Sequence, residues 1–258
     1  MTSDADSSFV HWEAPRAILV DLDDTVLDTT ESATRVWRET ARAFEAEIGR
    51  PAEEFDPVLD RARVWYWSDP ERNRVGRRDV QRSRVEVTHR GLLELGIDDH
   101  ALATRFADHY SEHRIRSMRP FPGAIETLAF FAGAGVPMAL ITNGDAQAQR
   151  EKVEHFDLAQ YFRAVLIEGE LGYGKPDPRV FQEGLAACGD APASGSWCVG
   201  DNLKWEVAAP QGLGMTGIWN DWEGKSLPAG SEVVPDRVVR RIAELTPPPG
   251  VAAAAGGC

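Results

Sequence analysis

The sequence lacks any apolar run approaching the roughly 20 residues of a membrane span, which argues against an integral membrane protein. Cysteine is scarce, with only Cys188, Cys198 and Cys258 in the sequence. Their number is odd, and they do not have the spacing of a metal site. We therefore expect reduced thiols and a cytoplasmic protein. The acidic N-terminus does not resemble a secretion signal, and we find no internal repeat.

An excess of positive charge is also missing. The 258 residues include 28 Lys and Arg against 41 Asp and Glu, a formal net charge of -13. Such an acidic surface repels phosphate backbones, so nucleic acid is not an expected partner. Locally the balance reverses between residues 61 and 90, where nine arginines accompany four acidic residues. With 43% hydrophobic residues, the length suits one core domain plus an insertion, acting as a monomer or small homo-oligomer.

The most informative stretch is Asp21-Leu22-Asp23-Asp24-Thr25, directly after the apolar run from Ala17 to Val20. The run predicts a buried parallel strand, which would bring Asp21 to the carboxyl edge of a sheet, where open α/β folds bind ligands. Positions i and i+2 share a face of an extended segment, so Asp21 and Asp23 can reach one reacting centre. One carboxylate can attack phosphorus while the other transfers a proton. The alternative to such a catalytic pair is an acidic turn that simply follows the strand.

Two further apolar runs end in polar residues. Val136 to Ile141 precedes Thr142-Asn143-Gly144. The hydroxyl and amide of this tripeptide can hydrogen-bond a phosphate oxygen. The same small polar residues also indicate the start of a helix over Asp145 to His155. Arg163 to Ile167 leads into a turn-rich loop that contains Lys175. A cation there can offset the charge of a transferring phosphoryl group, although a lone loop lysine is usually solvated.

A fourth run, Ser196 to Val199, precedes Gly200-Asp201-Asn202. The carboxylate of Asp201 can bind a hard cation such as Mg²⁺.

Two glycine-rich stretches partly match nucleotide-binding motifs, but neither is interpreted as one. Gly169 to Lys175 fits most of a phosphate-loop pattern, but Pro176 occupies the final hydroxyl position. Gly212 to Gly217 follows a helical stretch and precedes a strand, the reverse of a dinucleotide-binding fingerprint.

In this order, the four segments resemble motifs one to four of the haloacid dehalogenase (HAD) superfamily, over roughly residues 15 to 220. The resemblance assigns roles to the matching residues: nucleophile Asp21, general acid and base Asp23, phosphate ligand Thr142, and charge-stabilising cation Lys175. It also implies Mg²⁺ held by Asp21, the backbone carbonyl of Asp23, and Asp201. Where the fourth motif often has a second Asp, this chain has Glu206, which could contact metal directly, contact it through water, or only orient Lys175.

The predicted fold is a three-layer α/β sandwich with a parallel Rossmann-like sheet and an inserted helical cap. Strands are expected to start near Ala17, Val136, Arg163, Ser196 and Met215, with a further short element near Asp236 to Arg240. The core is expected at 15–28 and 119–245, the cap at 29–118, a disordered lead at 1–14 and a flexible tail at 246–258. Helical periodicity in the cap involves Ala33, Val36, Trp37, Thr40, Ala41 and Phe44.

These features predict Mg²⁺-dependent hydrolysis of a small phosphorylated metabolite, a phosphate monoester, through an aspartyl-phosphate on Asp21. A 2-haloacid dehalogenase shares the nucleophile but needs neither Mg²⁺ nor an acid at position 23. A sugar phosphomutase uses the same residues but returns the phosphoryl group to a second hydroxyl. A non-enzymatic phosphate-binding module would tolerate loss of Asp23 or Lys175. The motifs do not define the substrate, because they contact only the phosphoryl group.

Within the cap, the segment from Val64 to Arg84 is predicted to contribute to substrate choice. Trp65 and Trp67 offer flat surfaces to a leaving group, and Arg77 and Arg78 offer forked donors to anionic oxygens. For each tryptophan the alternative is a place in the core of the cap. For most arginines in the segment, the alternative is a place on a solvated helical face.

Overall fold

The computed structural model of the protein describes residues 14 to 247. Most of the expected lead and tail, and Cys258, therefore lie outside the described residues. Cys188 and Cys198 are buried free cysteines. None of the helices between residues 14 and 247 combines the length and apolar content needed to cross a bilayer.

A six-stranded parallel sheet forms the centre of the fold, with strand order β5-β4-β1-β6-β7-β8. In chain order the strands are β1 (Ile18–Val20), β2 (Leu27–Asp28), β3 (Arg119–Pro120), β4 (Met138–Thr142), β5 (Ala164–Ile167), β6 (Trp197–Gly200), β7 (Thr216–Asn220) and β8 (Arg237–Val239). The predicted α/β class is confirmed, and the sixth element is a strand of this sheet. Because β1 pairs with β4 and β6, and β4 pairs with β5, the four predicted polar strand ends lie along one edge of the sheet.

Helices cover both faces of the sheet and fill the segment between β2 and β3. They are α1 (Thr30–Ala43), α2 (Glu45–Ile48), α3 (Ala52–Ser68), α4 (Pro70–Gly76), α5 (Val80–Glu94), α6 (His100–Ser117), α7 (Ala124–Gly133), α8 (Ala146–His155), α9 (Glu168–Leu171), α10 (Pro178–Ala187) and α11 (Ala209–Gln211). A π-helical turn spans Leu203–Ala208, and 3-10 turns span Leu158–Tyr161 and Ile242–Leu245. We call residues 30–117, which contain α1 to α6, the helical insertion.

Alternate residues of β1 pack on opposite sides of the sheet, as expected for a strand buried on both faces. Ile18 and Val20 join the apolar cluster that contains Leu128 of α7. Leu19 joins a second cluster that contains Phe181 of α10. The sheet therefore lies between two helical layers, which is the predicted three-layer sandwich.

The helical insertion has an apolar cluster of its own. Its first helix buries Val36, Trp37, Thr40 and Ala41, in agreement with the sequence periodicity. Trp37 stacks on Tyr110 of α6 with ring centroids 4.0 Å apart. The insertion connects to the sheet through the antiparallel pair β2 and β3, in which Leu27 faces Pro120 and Asp28 faces Arg119. The two strands directly flank residues 29–118, the range expected for the cap.

Gly217 of β7 lies where the strand contacts the π-helical turn. A Cβ at this position would lie 2.9 Å from both the Cα and the carbonyl oxygen of Val207. We expect Gly217→Ala to lower the free energy of unfolding by about 1–3 kcal/mol, because backbone atoms must move to admit the methyl group. Urea unfolding measures the change. Gly133→Ala is the matched control, since its Cβ would meet nothing within 4 Å, and a loss of stability equal to that of Gly217→Ala would contradict the packing explanation.

Candidate active site

The predicted motifs meet in a cavity of about 200 Å³ at the carboxyl edge of the sheet. Its walls include all six predicted core residues, namely Asp21, Asp23, Thr142, Asn143, Lys175 and Asp201. They converge because β5, β4, β1 and β6 are neighbouring parallel strands, and Lys175 lies in the loop that follows β5. A larger groove of about 710 Å³ between α1 and Trp222 contains none of these residues.

A buried ion-pair network lies at the base of this cavity. The Nζ of Lys175 contacts Asp21 Oδ1 and lies 2.7 Å from Glu206 Oε1. The other oxygen of Asp21 accepts a hydrogen bond from Thr25 Oγ1 at 3.2 Å, and that of Glu206 accepts one from the backbone N–H of Asn202 at 2.8 Å. Both oxygens of Glu206 are therefore engaged. Of the three roles considered for Glu206, this geometry favours orientation of Lys175.

Negative charge exceeds positive charge on the Asp201 side of the network. Burial raises the pKa of Asp21 to about 7, even though Lys175 opposes the shift. Burial, followed by the charges of Asp21 and Glu206, raises the pKa of Asp201 to about 8. For Lys175, desolvation acts to lower the pKa, but the Asp21 and Glu206 carboxylates outweigh it and raise the pKa above its ordinary value. Lys175 therefore stays charged.

The donor atoms near Asp21 and Asp201 fit a hard divalent cation. The two residues follow adjacent strands, and the backbone N–H of Asp21 donates to the carbonyl of Val199 at 3.0 Å. Two carboxylates whose charges repel each other are stabilised by a cation, and oxygen-only donors suit Mg²⁺. No group of three or more His, Cys, Asp or Glu side chains within residues 14–247 is arranged to hold a metal ion. A metal at Asp21 and Asp201 would therefore need further oxygen ligands, and the Asp23 carbonyl stays a prediction for one of them.

Asp23 is held by two residues of α8 that the sequence did not single out. Lys152 Nζ lies 2.6 Å from Asp23 Oδ1, and Gln149 Nε2 donates to Oδ2 at 2.8 Å. Desolvation acts to raise the pKa of Asp23, but the nearby Lys152 ammonium outweighs it and lowers this pKa below its usual value. Gln149 also donates to Thr142 Oγ1. The only sequence signal is their i, i+3 spacing in the helix that follows Thr142, which places both on one face.

Asn143 has a different role from a simple phosphate ligand. Its side-chain amide donates to the backbone carbonyl of Lys175 at 2.7 Å, and its Oδ1 accepts from the backbone N–H of Lys175 at 2.8 Å. The side chain therefore fixes the loop that carries the lysine. Direct contact of Asn143 with a phosphate group stays a prediction.

One predicted arginine of the helical insertion reaches the cavity. Arg77, directly after α4, lines the wall, and its Nη1 lies 3.4 Å from Glu168 Oε2 of the core. Its guanidinium also lies 5.8 Å from the ring centroid of Trp205. The neighbouring Arg78 is exposed and does not line the cavity.

The two predicted tryptophans lie away from this cavity. Trp65 is 40% exposed, with the guanidinium of Arg72 at 4.0 Å and that of Arg90 at 5.3 Å from its ring centroid. It therefore lies on the outer surface of the helical insertion. Trp67 packs against the apolar cluster of the insertion and lines a second cavity inside it.

Residues 15 to 214 match the model of the haloacid dehalogenase-like hydrolase family. The chain belongs to this family. The match includes every motif residue placed in the cavity. The prediction of a HAD-type hydrolase is confirmed.

Three similar proteins illustrate the range of this family. The chain is 29% identical to a phosphoserine phosphatase from Thermus thermophilus, over 89% of this chain and 97% of the relative. It is 27% identical to the solved structure of a 2-haloacid dehalogenase from Pseudomonas syringae, with a TM-score of 0.59 and coverage of 90% and 96%. At 17% identity, the magnesium-bound HAD protein YfnB from Bacillus subtilis shares the fold, with a TM-score of 0.64 and coverage of 90% and 97%.

The raised pKa values of Asp21 and Asp201 predict a pH-dependent stability in chelator. The folded metal-free protein retains protons that the unfolded chain releases above about pH 4, so stability should fall as pH rises from about 4 to 8. Asp201→Asn removes one such carboxylate and should raise the Tm near pH 8 by a few degrees. Thermal unfolding across this pH range, with and without Mg²⁺, measures both effects.

In the same experiment Mg²⁺ should stabilise the wild type near pH 8 and have little effect on Asp201→Asn, because binding to the folded state alone raises stability. Asp190→Asn removes an exposed carboxylate and is the matched control. Equal stabilisation of wild type and Asp201→Asn by Mg²⁺ would show that Asp201 is not a ligand.

Proposed function

We propose that the protein is a Mg²⁺-dependent phosphatase that hydrolyses a small phosphate monoester through an aspartyl-phosphate on Asp21. The supporting observation is the carboxyl group of Asp23 in the same cavity as Asp21, fixed by Lys152 and Gln149. A phosphatase needs an acid at this position to protonate its leaving group. The phosphoserine phosphatase similar over 89% of this chain supports the same reaction class.

In the first step, an oxygen of Asp21 forms a bond to phosphorus as the bond to the leaving oxygen breaks. Asp23 gives its proton to the leaving oxygen. Lys152 keeps Asp23 ionised in the free site, but the negative charge of a bound phosphate raises the pKa of Asp23 and favours the protonated form. Thr142 and Lys175 bind the phosphoryl oxygens and offset their charge.

In the second step, Asp23 removes a proton from a water molecule that attacks phosphorus, and the bond between phosphorus and Asp21 breaks. Inorganic phosphate leaves, and both carboxyl groups return to their starting states. Mg²⁺ held by Asp21, Asp201 and the Asp23 carbonyl would supply further charge stabilisation at the phosphoryl group. Glu206 and Asn143 act as positioning residues, because they hold the ammonium and the backbone of Lys175 respectively.

The helical insertion acts in this proposal as a cap that closes over the bound ester. Arg77 already bridges the insertion and the core through Glu168. Closure would exclude water during the first step and strengthen the electrostatic interactions in the site. The cavity of about 200 Å³ suits a small metabolite.

Asp21→Ala should abolish phosphate release from a panel of phosphorylated metabolites and from p-nitrophenyl phosphate. Asp23→Asn should lower kcat on the order of 10²–10⁴-fold, because proton transfer to the leaving oxygen is lost. Chelator should silence the wild type, and added Mg²⁺ should restore it. Circular dichroism and thermal unfolding serve as the fold control for each variant.

Three outcomes would contradict this mechanism. Full phosphatase activity in purified Asp21→Ala would exclude the nucleophile. Metal-independent release of chloride from a 2-haloacid, with no phosphate release, would favour dehalogenation, the activity named for one structural relative. Transfer of the phosphoryl group to a second hydroxyl without phosphate release would indicate a phosphomutase.

Arg77→Ala should raise the KM for the best substrate of the panel roughly tenfold or more, because a hydrogen bond to a charged group contributes about 1.5–3 kcal/mol. Arg78→Ala is the matched control, since Arg78 is adjacent in sequence but exposed. Steady-state kinetics of both variants measure the difference. If Arg77→Ala and Arg78→Ala have the same KM as the wild type, the helical insertion does not bind substrate through this turn.

A further inference from the structure

A second cavity, of about 220 Å³, lies inside the helical insertion among α1, α3, α5 and α6. Three arginines and three aromatic rings lie in its wall: Arg63, Arg84, Arg114, Trp37, Trp67 and Tyr110. No step of the proposed mechanism uses this group of residues.

Two of these arginines are bound only by neutral groups. Arg114, 8% exposed, donates to Ser32 Oγ at 2.7 Å and to the carbonyl of Thr29. Arg84 donates to Ser111 Oγ at 2.9 Å, and its guanidinium lies 5.2 Å from the ring centroid of Tyr110. Within residues 14–247 neither arginine forms a salt bridge.

Other arginines of the same segment do have acidic partners. Arg74 pairs with Glu71 at 2.6 Å and Arg82 with Glu86 at 2.8 Å, and both of these arginines are exposed. Arg63, at the edge of the cavity, pairs with Asp60 at 3.2 Å. Arg114 is buried and Arg84 is half-buried, so both lie where an uncompensated charge is unfavourable.

An oxyanion in the cavity would compensate this charge. Guanidinium groups bind carboxylates and phosphates through forked, charge-assisted hydrogen bonds. Burial lowers the pKa of Arg84, and the neighbouring Arg114 charge acts in the same direction, so a bound anion would relieve both effects. Asp145 and Glu151 of the core act on the charge of Arg84, but neither forms a salt bridge with it. The rings of Trp37 and Tyr110 would contact the carbon atoms of the ligand.

The second cavity is linked to the active site through the segment that follows Asp23. Arg114 holds the carbonyl of Thr29, and the backbone N–H of Thr29 donates to Asp24, directly after Asp23, at 2.9 Å. The positive charge of Arg114 also contributes to lowering the pKa of Asp23. Asp23 is the residue that protonates the leaving oxygen in the proposed reaction. A leaving alcohol that extends from Asp23 toward Arg114 would approach this second cavity.

We propose that Arg84 and Arg114 form a subsite for a second anionic group, so that the substrate is a phosphate monoester whose alcohol carries a carboxylate or another phosphate. This subsite rests on the proposed phosphatase function. It would select among phosphate esters by the charge of the leaving alcohol, whereas the motif residues contact only the phosphoryl group. Arg84 is the residue to test, because Arg114 also supports the segment next to Asp24.

The test uses esters matched in chain length, from two to six carbons. Each ω-carboxyalkyl phosphate is compared with the neutral ω-hydroxyalkyl phosphate, and with the alkanediol bisphosphate to distinguish carboxylate from phosphate. At the best length, the wild type should show a kcat/KM at least tenfold higher for an anionic ester than for the neutral one. Arg84→Met should remove most of this preference by raising the KM for the anionic ester. Its kcat/KM for the neutral ester and for p-nitrophenyl phosphate should equal that of the wild type.

Two further variants keep the test specific. Arg84→Lys retains the charge and should restore part of the preference. Arg90→Gln removes an exposed arginine of the same helix and should retain all of it. Equal kcat/KM for anionic and neutral esters at every length in the wild type overturns the subsite, as does equal loss of preference in Arg84→Met and Arg90→Gln.

A binding measurement separates this subsite from the phosphatase reaction itself. If the wild type hydrolyses no phosphate ester, the proposed function fails, and calorimetry with the ω-hydroxycarboxylates alone then tests the subsite. Binding that is lost in Arg84→Met and kept in Arg90→Gln would support it. Absence of binding to the wild type would overturn it.

Discussion

The buried ammonium of Lys175, held between the carboxylates of Asp21 and Glu206, determines much of the surrounding structure. Removing Lys175 would leave the two carboxylates buried without a compensating cation, which is strongly unfavourable. Several local features are consistent with this requirement. Asn143 fixes the backbone of Lys175, and the Glu206 side chain packs so close to Gly200 that no Cβ fits there. The π-helical turn carries Glu206 to that position.

Charge is distributed unevenly around this network. Toward Asp201 the carboxylates exceed the cations, which suits a divalent metal, and the pKa values of Asp21 and Asp201 rise accordingly. Toward the helical insertion the balance reverses, because Lys152 pairs with Asp23, Arg77 lines the cavity, and the charge of Arg114 acts on Asp23. A phosphate ester bound between the two would meet metal on one side and fixed cations on the other. The net charge of -13 conceals this local polarity.

The sheet and its polar edge could be predicted because each strand carries two signals, an apolar run and the polar residues that follow it. The contacts of Asp23 could not, because Gln149 and Lys152 lie on a helix where their spacing equally fits a solvated face. Arg77 and Arg78 are adjacent and chemically identical. Only the direction of the chain after α4 determines that Arg77 reaches the cavity and that Arg78 does not. Similarly, the sequence around the two tryptophans does not show that Trp65 lies on the outer surface of the insertion, whereas Trp67 lines the cavity inside it.

The short β2–β3 ribbon joins the two ends of the helical insertion with only two residue pairs. Neighbouring strands lie about 4.8 Å apart, so the chain leaves the core and returns to it at almost the same point. Any helical unit with similarly close ends could be exchanged at this junction without changing the order or register of the sheet. Recombination or loop grafting at Leu27 and Pro120 would then supply new specificity to an unaltered set of reacting groups. In the proposed reaction, the junction would separate the reacting groups of the core from the residues of the insertion that contact the alcohol part of the substrate.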